Sequence, residues 1–147
     1  MHNWENLTRQ ANKAYSNHAF LDAIELNRQA LNQAEQSFEY DFSQDPESAI
    51  AAATVSFFNI AESYTALGDY ISANTQYENA VNFLQSLTDR ADLVDEQRDL
   101  IVRTAGHIRF EWDMFTQSYG KAFALQSKDL MKVVSHTVIR SKNVIHH

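Results

Sequence analysis

The chain has 147 residues, 44% hydrophobic and 12% aromatic, with a formal net charge of −7 and no cysteine. That length suits one domain with its own core, and the missing cysteine excludes a disulfide scaffold and thiolate catalysis. The acidic balance argues against nucleic-acid binding, which needs clustered Lys and Arg to release counterions from phosphates.

Three glycines and one proline are too few for the turns of a sheet, so long helices with short connections are expected. MHNWENLTRQANKAY at the N-terminus lacks the basic start and apolar run of a signal peptide. Nothing approaches the roughly 18 uninterrupted apolar residues of a membrane span. The expectation is a cytoplasmic protein with no membrane partner. Charge is uneven: residues 1–99 carry 16 acidic and 5 basic residues, and residues 100–147 carry 3 and 7. Such polarity would let one end attract the other end of a second copy.

A first helix is predicted from about Trp4 to Ser16, broken at Asn17-His18, since Asn tolerates the left-handed conformation that ends helices. A second runs from Phe20 to about Glu39, with Phe20, Ile24, Ala30, Leu31, Ala34 and Phe38 on one face. Tyr40 and Phe42 flank a long loop that follows, with burial beneath it the expectation and contact with a partner the alternative. Asp45 then suits an N-cap and Pro46 the first helical position, opening a third helix to about Leu67. Gly68-Asp69 is the next turn. The fourth helix carries Tyr70, Ala73, Tyr77, Ala80, Val81 and Leu84 and ends near Leu87.

TDRADLVDEQ reads as a polar connection, with Asp92 or Asp95 capping a fifth helix to about Ser118. Tyr119-Gly120 is expected to close it before a sixth segment from Lys121 into the 130s. The last stretch is rich in β-branched residues, yet a lone strand has no partner. Leu130, Val134, Val138 and Ile145 fit a helical stripe, so a capping helix with its final residues frayed is the expectation.

Around Gly68 the spacing is specific. Phe57, Ile60, Ala61 and Tyr64 precede it by 11, 8, 7 and 4 residues, and Tyr70, Ala73, Tyr77 and Ala80 follow by 2, 5, 9 and 12. Small residues at Ala61 and Ala73 let two antiparallel helices cross closely, and the tyrosines fill the flanking space. This pattern resembles the tetratricopeptide repeat. A weaker copy lies upstream in Leu7, Ala11, Ala14, Phe20, Ala23 and Ala30, with His18 in the glycine position and Asn27 in an aromatic one. The offset from Phe20 to Tyr70 is 50 residues rather than 34, which resembles a subgroup with lengthened helices that includes small bacterial proteins without assigned function. The repeat's late proline is absent, with Gln85 in its place.

The likeness covers about the first 87 residues. It implies an all-α fold of antiparallel helical hairpins stacked as a short right-handed array of six or seven helices. In a single domain, hairpins would occupy 4–39 and 46–87, and a degenerate third hairpin with a capping segment 92–147.

The likeness also implies a protein or peptide partner held in an inner groove, by an adaptor or small chaperone-like module. Groove positions that carry over are Arg9, Asn12, Tyr15, Phe58, Asn59, Glu62 and Arg103. Asn12 and Asn59 match two asparagines of the family's carboxylate clamp. The clamp's lysines are replaced by Thr8 and Asp99, and Arg103 takes the remaining cation position, so most charge-assisted bonds to a carboxylate are lost. Phe58 adjoins Phe57, and only one of the two can point fully into a seam; Phe58 either packs under the helices or lines the groove. Trp4 and Trp112 read as core or cap residues.

No catalytic, metal or cofactor site emerges. The chain has no Gly-x-Ser-x-Gly elbow, no phosphate-cradling glycine loop and no His-Glu-x-x-His. His107 and Glu111 share a helix face, which leaves open a helical-bundle enzyme or small-molecule binder. His18 suits a turn, His136 falls in the tail, and His146 and His147 could take metal only adventitiously. A homodimer that buries an uncovered end helix is a further alternative.

Overall fold

The computed structural model describes the backbone of residues 2–145 and the side chains of residues 3–135. Six helices follow one another: α1 (His2–Ser16), α2 (Phe20–Gln36), α3 (Phe38–Gln44), α4 (Pro46–Ala66), α5 (Tyr70–Thr88) and α6 (Asp95–Ile145). Among the described residues there is no strand. Packing runs from neighbour to neighbour, α1 on α2, α2 on α4, α4 on α5 and α5 on α6, with α1 and α6 each touching α4. The result is an all-helical array.

Alanine sets the spacing. Ala11, Ala23, Ala30, Ala53, Ala61, Ala73 and Ala80 are essentially fully buried where helices cross, and a larger side chain at any of them would push two backbones apart. Between these contacts Phe38, Ile50, Phe57, Leu84, Ile101 and Ile108 fill the core. Both tryptophans join core to helix–helix contacts: Trp4 Nε1 donates to Ser56 Oγ at 2.8 Å, and Trp112 Nε1 to Asn74 Oδ1 at 2.8 Å.

The expected turns form by one device used twice. Gly68 has φ of 76°, and the Asp69 N–H donates back to the Tyr64 carbonyl oxygen at 3.0 Å. His18 has φ of 60°, and the Ala19 N–H donates to the Ala14 carbonyl oxygen at 2.8 Å. Both are the left-handed C-terminal closure that satisfies orphan helix carbonyls. Asp69 caps α5 by accepting from Ser72 N–H, as Asp45 caps α4 by accepting from Ser48 N–H behind Pro46.

Three expectations are corrected. First, the second helix stops at Gln36. The Ser37 hydroxyl lies 2.9 Å from the Gln33 carbonyl oxygen and 2.7 Å from the Asp41 carboxylate, holding the backbone in a bend before α3. Second, the supposed loop is this short helix. Phe38 and Phe42 stack one turn apart in the core, and Tyr40 points outward with 69% exposure.

Third, no turn forms at Tyr119-Gly120, so the fifth and sixth segments and the degenerate third hairpin are one continuous helix, about 76 Å long. A lone glycine costs a helix only about 1 kcal/mol. Gly68 breaks the chain because Asp69 behind it can cap a new helix; behind Gly120 stands Lys121-Ala122-Phe123, which cannot cap and favours continuation. Helix also replaces any strand reading up to Ile145. Fraying at the very end, and His146 and His147, fall outside the described residues.

Opposite effects are expected from one substitution at two glycines. Gly120→Ala removes a helix-interior glycine with only an ordinary 3.6 Å contact to Thr116, and should stabilise by about 1 kcal/mol, raising Tm by roughly 2–4 °C. Gly68→Ala meets no neighbour but holds positive φ, and should lower Tm by a similar amount. Thermal unfolding followed by circular dichroism checks both signs.

Candidate functional site: the groove between α4 and α6

Adjacent phenylalanines on α4 point in directions about 100° apart. Phe57 is 5% exposed in the core, 6.1 Å from the Phe83 ring. Phe58 is half-buried in the groove between α4 and α6, 6.0 Å from Tyr77 and edge-on to His107 at 5.6 Å. Two hollows open in this groove, and Phe58 lines both. One, of about 390 Å³, is bounded by Glu62 of α4, Tyr77 of α5, and Glu111, Met114 and Tyr119 of α6. The other, of about 350 Å³, is bounded by Glu47, Thr54 and Val55 of α4 and by Arg103 and His107 of α6.

Tyr77 forms the floor of the first hollow. It stacks on Trp112 with the rings 11° from parallel and touches Phe115 at 5.2 Å. Burial, reinforced by the negative charges of Glu111 and Glu62, pushes its phenol up to about 12. From α1, Tyr15 approaches the same place. Its phenol is also raised, by burial first and then by the nearby Glu62 carboxylate. Glu62 and Glu111 thus give this end an acidic, aromatic character, and Arg103 gives the other end a cation.

Within the second hollow the Oγ1 of Thr54 is buried and has no hydrogen-bond partner, and so is that of Thr8 on α1. Buried hydroxyls are usually paired, so each is an unused donor and acceptor.

Of the residues expected from the sequence, Phe58 and Glu62 share the first hollow, Phe58 and Arg103 the second, and Tyr15 joins Glu62. Asn59 is half-buried beside Phe58, its main-chain carbonyl accepting from Ser63 Oγ at 2.9 Å. Arg9 and Asn12 are exposed on α1 and line neither hollow. His107 and Glu111 share a face of α6, as their spacing requires, yet open into different hollows on either side of Phe58. Among the described residues no three His, Asp or Glu side chains are arranged to hold a metal ion.

Sequence reasoning missed Thr54, Tyr77, Met114 and Tyr119 as groove residues. The available signal was the four-residue run of Arg103, His107 and Glu111, which traces a polar stripe on α6 beside its buried Ile101, Ile108 and Phe115.

A family model described as a protein of unknown function, DUF2753, matches residues 2–146. The chain belongs to the DUF2753 family. No curated protein and no solved structure matches it significantly. Among the described residues no helix is long and apolar enough to cross a membrane.

The raised phenol makes an alkaline prediction for this DUF2753 member. In the unfolded chain Tyr77 ionises near 10, and in the folded chain near 12, so its share of stability is complete below pH 10 and is lost as pH rises towards 12. Melting temperatures between pH 9 and 12 should fall less steeply for Tyr77→Phe than for the wild type.

Proposed function

We propose that this protein is a non-enzymatic interaction adaptor or small chaperone-like module that holds a peptide or helix of a protein partner in the groove between α4 and α6. The main support is Phe58: a half-buried aromatic side chain standing between two open hollows, one bordered by Glu62 and Glu111 and one by Glu47 and Arg103. An apolar anchor on the partner would settle against Phe58 and Tyr77, where aromatic contacts contribute most to affinity. A Lys or Arg on the partner within one helical turn would face Glu62 and Glu111. The likeness of the first 87 residues to tetratricopeptide repeats supports the same reading, since members of that family commonly hold peptides in the groove of their first helices. Tyr15 of α1, beside Glu62, extends the proposed surface on one side.

Selection from a random peptide library tests the chemistry without a known partner. Selected peptides should carry an aromatic or aliphatic residue with Lys or Arg three or four positions away. Phe58→Ala plus Asn59→Ala should weaken them about tenfold, and Glu62→Gln plus Glu111→Gln should remove the preference for the basic residue. Equal binding by the wild type and the Phe58/Asn59 variant, with unchanged circular dichroism, would show that the groove is not used.

A further inference from the structure

The covered part of α6 ends at Gln126. Its side-chain amide donates to the Gly68 carbonyl oxygen and accepts from the Tyr70 N–H at 2.9 Å, and Tyr70 is where α5 begins. The helix then runs on from residue 127 to Ile145, about 28 Å past the end of α5. Leu130 and Val134 prolong the face through which Trp112, Phe115 and Tyr119 pack on α5, yet they are 49% and 46% exposed, and Met131 beside them is 62% exposed. Residues 121–147 carry five basic residues and one acidic residue, whereas residues 1–120 carry seven and eighteen. A basic, amphipathic helix therefore extends from an acidic body with its apolar face uncovered.

The same chain has an unfilled cleft of matching character. On the other side of α4 from the groove, α2 and α5 diverge around a space of about 770 Å³. Phe57 and Ile60 form its floor, Leu31 and Phe83 its walls, and Arg28, Glu35 and the Arg90-paired Glu39 stand at its edge. Along α5 it reaches from Gln76 to Leu87, about 16 Å, which accommodates three turns of helix. The geometry points to a reciprocal dimer, in which the α6 extension beyond Gln126 of one copy lies in the α2–α5 cleft of a second copy.

Leu130 and Val134 would cover the phenylalanine floor, and Lys128 and Lys132 would approach Glu35 on a body of opposite net charge. Pairing two extensions with each other would instead bring together two segments of like charge. An anionic membrane would attract the extension but repel the body, with its excess of eleven negative charges over residues 1–120.

Because the chain has no cysteine, placed thiols report the contact cleanly. Asn82→Cys sits at the cleft and Leu130→Cys on the extension, in separate chains mixed in equal amounts under mild oxidation. A disulfide needs Cα atoms within about 7 Å, so the expected product is the mixed dimer. The untagged wild type should sediment at twice its 16.8 kDa mass, and Leu130→Asp plus Val134→Asp, both at exposed sites, should halve that mass with unchanged helix content. A monomeric wild type, or Leu130–Leu130 bridges in place of mixed ones, would overturn the inference. So would flotation with anionic phosphatidylserine vesicles that the double Asp variant abolishes while no mixed bridge forms.

Discussion

Everything in this fold depends on α4 being approachable from several sides at once. Ala49, Ala52, Ala53 and Ala61 are buried along it, and its two buried serines donate to the carbonyls four residues back, Ser56 to Ala52 and Ser63 to Asn59, each at 2.9 Å. Small apolar side chains and the self-satisfied hydroxyls of Ser56 and Ser63 let α2 and α5 both come close, and the Thr54 hydroxyl is left buried without a partner. Only Ile50, Phe57 and Ile60 are large and deeply buried on this helix, and they lock the array rather than space it. A helix enclosed in this way can afford no charged residue on its packed faces. Glu47 and Glu62 accordingly lie at exposed positions.

The groove is a by-product of that enclosure. Once α1 and α6 both rest against α4 on the side away from α2 and α5, the face of α4 between them stays open, and whatever it carries is presented to solvent. Here it carries Phe58 and Glu62, four residues apart, with Thr54 buried one turn earlier on the same stripe. Glu62 and Glu111 at one end, and Glu47 with Arg103 at the other, make the two ends of the open face chemically different.

Much of this was legible in the chain itself, for local reasons. Gly68 followed by a capping Asp69, and Asp45-Pro46, mark helix ends through groups no more than four residues apart, and alanine spacing marks the faces that meet. Where a boundary depended on what lay elsewhere, the reading failed. Gly120 looks like Gly68 until the missing cap and the tie between Gln126 and the α4–α5 turn are considered, and that tie spans 56 residues. Ser37 bends the chain through one hydroxyl that no periodicity reveals. In the groove, Phe58 and Glu62 could be placed from their register on one helix, whereas Tyr77 reaches the site from a different helix, and Arg9 and Asn12 fell short because α1 leans on α2 more than on α4.

The amide of Gln126 fixes more than a turn. By holding both a carbonyl and an N–H at the α4–α5 corner, it sets the rotational phase of everything downstream on the same rigid rod. One residue inserted between Gln126 and Leu130 would leave the body untouched while swinging the projecting arm through about 100° and advancing it about 1.5 Å. In such a molecule, length changes just past the pin are steering changes.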